Sequence, residues 1–151
     1  MKYRTIIAAA VGFAFFGAMS SGAEAGKGKK IPTSISKSFT GKPGNAAKGK
    51  KLIISRKKGN CLACHAIPNM SKQADQGNVG PPLKGVANRL SMAQLRARIA
   101  NPKGSNPGTI MPAFLKKDGL NRVMKKFKGK SILSRQEVED VLAYMMTLKG
   151  K

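Results

Sequence analysis

Lys58-Gly59-Asn60-Cys61-Leu62-Ala63-Cys64-His65-Ala66-Ile67-Pro68 is the stretch that decides how this chain is built. At its centre stands Cys-x-x-Cys-His, the signature for covalent attachment of haem c. Cys61 and Cys64 are spaced to meet the two vinyl groups of one porphyrin as thioethers, and His65 is then held against the iron as an axial ligand. Two other uses of a Cys-x-x-Cys pair fail on the rest of the chain. A structural zinc site wants four ligands, and the sequence holds only these 2 Cys and 1 His. A thioredoxin-like dithiol wants a βαβ context, whereas the flanks are Lys-rich and helix-like, without alternating β-branched runs.

Upstream, residues 1–25 read as a secretory signal. Lys2 and Arg4 precede an apolar run from Ile6 to about Met19, and Ala23-Glu24-Ala25 fits a small-x-small cleavage site. The competing reading is a membrane anchor, but the run is shorter than the roughly 20 residues a spanning helix needs. Export without a membrane span is therefore expected, with Gly26 as the new N-terminus. What remains of the 151 residues suits one domain with one core. That part keeps only Phe39, Phe114, Phe127 and Tyr144 as aromatics. Helices wrapped around a large flat haem would bury it in place of the missing rings.

The full chain carries 29 Lys and Arg against 6 Asp and Glu, a formal charge of +23. Loss of Lys2, Arg4 and Glu24 with the signal leaves 27 basic and 5 acidic side chains. A nucleic-acid partner is disfavoured by export and by the scarcity of stacking aromatics. Steering of an acidic protein partner or an anionic substrate is the functional reading, and a merely solvated basic surface is the bland one. Arg56, Lys57 and Lys58 should lie near the haem edge.

Residues 26–44 mix Gly, Pro, Lys and Ser without a period, and read as a flexible or wrapping basic arm. The domain proper is expected over 45–151. Asn45 is an N-cap candidate for a helix over Ala46 to Ser55, with Gly49, Leu52 and Ile53 at helical spacing. Ser91 with Gln94 makes a capping box for a helix through Ile99, which Pro102 stops. Leu95, Ile99 and Met92 are expected to face inward. Ser134 with Glu137 starts the last helix, whose apolar face repeats Val138, Val141, Leu142, Met145 and Leu148. Glu137, Glu139 and Asp140 in its first turns and Lys149 at its end complement the macrodipole.

A six-coordinate iron needs a second donor, and there is no second His. Met111 is the candidate. It stands on a Gly- and Pro-dense loop, between Thr109-Ile110 and Pro112, where the chain can cross the haem face opposite His65. Met70 follows His65 too closely, and Met92, Met124, Met145 and Met146 read as apolar helix packing, which is also the alternative for Met111. A thioether opposite imidazole raises the haem potential.

Together, the stretch 58–68, Gly77-Asn78-Val79-Gly80-Pro81-Pro82-Leu83, Thr109-Ile110-Met111-Pro112-Ala113-Phe114, Ile132-Leu133-Ser134 and Glu137-Val138-Glu139-Asp140-Val141 resemble SoxX. That family is the monohaem cytochrome subunit of the SoxAX complex of bacterial thiosulfate oxidation, within the class I cytochromes c. The resemblance covers about residue 44 to 149. It implies an all-α, single-domain class I cytochrome c fold wrapped around one covalent haem c. In class I cytochromes c a Gly-Pro-x-Leu segment turns its proline carbonyl to the ligand imidazole, which implies that role for Pro81; a simple loop turn is the alternative. The resemblance further implies a periplasmic location, a SoxA-like partner subunit, a SoxYZ-like carrier reached through the complex, and a downstream electron acceptor. It places the sulfur chemistry on the SoxA-like subunit, and the present sequence agrees, since both Cys are committed to haem. The chain itself would be a non-catalytic electron-transfer subunit, inactive alone. A free-standing soluble monohaem shuttle is the second reading. A third is a basic interaction protein whose haem only stabilises the fold.

Overall fold

A computed structural model describes residues 30–70, 72–73 and 76–150. The expected signal segment, 1–25, lies outside the described residues. Among the described residues four α-helices carry the fold: α1 (Ala46–Ile54), α2 (Val86–Arg89), α3 (Met92–Ala100) and α4 (Arg135–Met145). Short 3-10 turns at Cys61–Ala63, Pro102–Gly104 and Lys125–Phe127 punctuate the long connections, and no strand occurs among the described residues.

Helix starts follow from local chemistry. The Asn45 side chain accepts the Lys48 N–H at 3.0 Å, satisfying one of the donors that a helix start leaves open. At α3 and α4 the capping boxes are reciprocal. Ser91 accepts from Gln94 N–H while Gln94 accepts from Ser91 N–H, and Ser134 and Glu137 do the same. Helix α4 ends at Met145, three residues before its apolar stripe does; Leu148 is still buried.

Helices α1 and α4 cross at Gly49. A Cβ there would collide with the Asp140 carbonyl oxygen and stand 3.0 Å from Tyr144 Cβ, so only a hydrogen lets the backbones meet. Around this crossing Ile53, Val138, Val141 and Leu142 are almost wholly buried, and Leu95 and Ile99 of α3 join the same core.

Residues 30–44 run across α3 and α4 and are tied there by hydrogen bonds. Ile35 N–H donates to the Ala93 carbonyl at 2.9 Å, and the carbonyls of Ile35 and Ser36 accept from Arg96 Nη1 at 2.7 and 3.1 Å. Arg96 in turn forms a two-pronged pair with Glu139, Nε to Oε1 at 2.9 Å and Nη2 to Oε2 at 3.0 Å. Both side chains are about 5% exposed or less. Glu139 Oε1 also accepts Phe39 N–H, and Asp140 accepts Asn45 N–H. Burial alone would push the Glu139 carboxyl up; the Arg96 guanidinium and the Phe39 N–H hold it below the ordinary glutamate range instead.

Two expectations change here and a third is extended. Besides standing in the first turns of α4, Glu139 and Asp140 are buried tethers for the arm and for α1, because α1 and the arm cover that side of α4. Met92 is 40% exposed, since it occupies the first position of α3, outside its inward stripe. Met124 is 62% exposed and precedes a 3-10 turn instead of packing in a helix.

Candidate haem site

The haem-binding stretch is curled by its own backbone. Gly59 and Asn60 N–H groups return to the Leu52 and Ser55 carbonyls at 3.2 and 3.1 Å, folding the chain back on the end of α1. Asn60 takes a left-handed conformation (φ 48°), a region in which Asn is among the better-tolerated residues. The 3-10 turn over Cys61–Ala63 follows, and His65 N–H closes onto the Cys61 carbonyl at 2.9 Å. Two thiols and an imidazole thus leave one compact loop.

The next segment forms a second layer against this loop. Gly77 N–H bonds the Leu62 carbonyl and Gly80 N–H the Cys64 carbonyl, both at 2.7 Å, and Leu83 N–H reaches Ala66 at 2.9 Å. Gln76 spans the turn between the layers: its Oε1 accepts Ile67 N–H at 2.6 Å and its Nε2 donates to the Met70 carbonyl at 3.0 Å. This registry brings the Pro81 carbonyl to 2.7 Å from His65 Nδ1. Donation from Nδ1–H to that carbonyl leaves Nε2 as the lone-pair nitrogen, the one free to face a metal.

Met111 reaches the same site on a separate loop. Phe114 and Leu115 N–H groups bond the carbonyls of Ile99 and Ala100 at 3.1 and 3.3 Å, anchoring the loop to the end of α3. Thr109 Oγ1 accepts Met111 N–H at 3.1 Å. Lys103 braces the same loop, its Nζ donating to the carbonyls of Pro107 and Thr109 at 3.1 and 3.2 Å.

These loops meet at a cavity of about 500 Å³ lined by Cys61, Cys64, His65, Pro81 and Met111. All five residues singled out in the sequence meet there. Arg56, Lys57 and Lys58 stand on its wall, with Phe114, Phe127, Ile132 and Met145 supplying apolar surface. Sequence reasoning missed Met124, Asn106 and Lys126 as wall residues, and missed Gln76 and Lys103 as supports. Met124 and Lys126 fall in a Lys-rich stretch without periodicity, so no pattern marks them.

A covalent haem suits this cavity on several grounds. It offers both thiols on one wall, an oriented imidazole, a thioether and a mostly apolar lining. Gly80 keeps the ring's surroundings open, since a Cβ there would overlap the imidazole. Desolvation pushes the Cys61 thiol up to about 12, which makes it a poor thiolate for dithiol redox work but is immaterial to a thioether, which has no proton to lose.

Helices packed behind the loops that line such a cavity are the construction of a c-type cytochrome. A family model for cytochrome c matches residues 46–149. No curated protein matches the chain significantly. Among solved structures, a chain in the crystal structure of SoxXA from P. pantotrophus is 40% identical, superposes with a TM-score of 0.72, and is matched over 78% of this chain and 90% of its own length. The chain belongs to the cytochrome c family and, within it, is a SoxX-like cytochrome that carries covalent haem c.

Proposed function

We propose that this chain is the electron-transfer subunit of a SoxAX-type complex, in which thiosulfate is joined oxidatively to a cysteine of a SoxYZ-like carrier with release of two electrons. The observation that carries this reading is the 40% identity to the SoxXA chain across nine-tenths of that chain. When bound, the haem supplies a one-electron Fe(III)/Fe(II) couple.

In this reading the chain's own residues hold and tune that couple. Cys61 and Cys64 form the thioether tethers. His65 would hold the iron through Nε2, while the Pro81 carbonyl, 2.7 Å from Nδ1, fixes its tautomer and raises its basicity. Met111, held by Thr109 and the Lys103 brace, would hold the iron as its second protein ligand, and its thioether would favour the reduced state. Phe114 and Met145, both buried, keep water from the cavity interior. No sulfur-transfer residue is assigned here, because both thiols are spent on attachment; that chemistry falls to the SoxA-like partner, and this chain alone is inactive.

Export to the periplasm by residues 1–25 belongs to the same proposal, supported by the charged, apolar and small-residue succession of that segment. Residues 26–44 then begin the mature chain ahead of the domain over 45–151. Among the described residues no helix is long and apolar enough to cross a membrane.

The test is coexpression of the full chain with a SoxA-like cytochrome in a bacterium that matures c-type haem, followed by affinity purification through the partner. Stoichiometric recovery of the haem-loaded chain is expected. A chain that matures normally yet stays monomeric beside the partner would make it a free electron shuttle and overturn the subunit assignment.

A further inference from the structure

We propose that Lys117, Lys130, Lys58 and Ser131 form a binding pocket for a small inorganic oxyanion of the sulfate class, beside the haem cavity. A cavity of about 310 Å³ opens between Lys117, the stretch 129–132, the start of α4 and Lys58. Three lysines and one acidic residue, Glu137, are among its lining residues.

That carboxylate is already engaged. Glu137 Oε1 takes Lys58 Nζ at 2.8 Å, and Oε2 accepts the Ser134 N–H at 2.7 Å. Its charge is therefore spent on Lys58 and on the helix start. The ammonium groups of Lys117 and Lys130 have no partner among the described residues, so the pocket keeps two uncompensated positive charges. Lys117 and Lys130 are exposed and Ser131 is half-buried beside them, so two cations share one open, water-accessible recess that attracts a small dianion.

The position of the pocket gives the ion an effect. Lys58 and Ile132 line both this pocket and the haem cavity. A dianion held there lies close to the redox centre and stabilises its more positive, oxidised state. By reciprocity the oxidised chain binds the ion more tightly than the reduced one. The inference needs the haem but no partner subunit, so it stands or falls separately from the assignment to a SoxAX-type complex.

Calorimetric titration of the oxidised, haem-loaded chain with sodium sulfate, at an ionic strength held constant with chloride, tests it. Saturable binding is expected, weakened about tenfold or more in Lys117→Ala/Lys130→Ala. Lys48→Ala/Lys50→Ala, exposed on α1, serves as the charge-matched control and should bind as wild type. An unchanged thermal midpoint in each variant shows that folding is not the cause. Sulfate should also lower the midpoint potential, with the same saturation and the same dependence on Lys117 and Lys130. Binding that does not saturate, or that weakens equally in both double variants, would overturn the site. Saturable binding with an unmoved potential would overturn its link to the redox centre.

Discussion

Gly80 lies flat against the imidazole of His65: a Cβ at position 80 would stand 2.6 Å from Nδ1 and closer still to Cε1. Because Gly80 N–H also bonds the Cys64 carbonyl at 2.7 Å, the backbone cannot simply withdraw to make room. Replacement of Gly80 by Ala is expected to tilt the ring off the Pro81 carbonyl and to disturb ligation. Absorption and magnetic circular dichroism of the purified variant should show a partly high-spin iron. Gly108→Ala, whose Cβ would meet only Asn106 Oδ1 at an ordinary 3.6 Å, should leave the spectrum unchanged.

Met111 is expected to be the second axial ligand. Its replacement by Ala should abolish the thioether-to-iron charge-transfer band and lower the midpoint potential, while Met124→Ala, on the exposed rim, should keep both. Lys103→Met removes the brace on the carbonyls of Pro107 and Thr109 without touching the ligand. In that variant the band should persist at pH 7 and be lost at a milder denaturant concentration or temperature than in wild type.

The crossing of α1 and α4 reverses the usual effect of helix glycine. An Ala replacing a mid-helix Gly normally stabilises by about 0.5–1 kcal/mol. At Gly49 the added methyl meets the Asp140 carbonyl and Tyr144 Cβ, so Gly49→Ala should cost about 1–3 kcal/mol, as overpacking does. Denaturant unfolding of the haem-loaded chain reads this directly.

Removing Arg96 leaves the Glu139 carboxylate buried without its partner. Arg96→Met should cost about 3–5 kcal/mol, and Arg96→Met/Glu139→Leu distinctly less, because the second change removes the stranded charge. The single variant should also free residues 30–44 to limited proteolysis, since Arg96 holds the carbonyls of Ile35 and Ser36. Acid acts on the same tether. Glu139 and Glu137 both titrate below their ordinary range when folded, Glu139 through Arg96 and the Phe39 N–H, Glu137 through Lys58 and the Ser134 cap, each against the upward push of burial. A carboxyl depressed on folding contributes stability above its unfolded value of about 4.3, and that contribution is lost as pH falls through the folded value. Stability from these two groups should therefore be flat at neutral pH and decline only in the acid range.

What the sequence disclosed about the fold was what neighbouring residues decide among themselves. Asn45, Ser91 with Gln94, and Ser134 with Glu137 mark helix starts because capping spans three residues, and all three caps form. The haem-binding loop was legible for the same reason: its spacing is dictated by the porphyrin. Long-range pairings were not. Arg96 and Glu139 are 43 positions apart, and each taken alone reads as a surface charge on a helix. Nothing in the Lys-rich run before Ser131 announces that Met124 and Lys126 return to the cavity wall, because a 3-10 turn of three residues leaves no periodic trace. Gln76 and Lys103 act through backbone carbonyls, which have no sequence identity to detect.

Electrons from thiosulfate are expected to reach this chain through its partner. The most direct measurement is the ferrous α-band of the chain, followed after thiosulfate is added to the oxidised protein with and without a SoxA-like subunit and a SoxYZ-like carrier. Reduction only when both are present is the expected result. A chain that stays oxidised while the carrier cysteine becomes thiosulfonated would show that the electrons take another route.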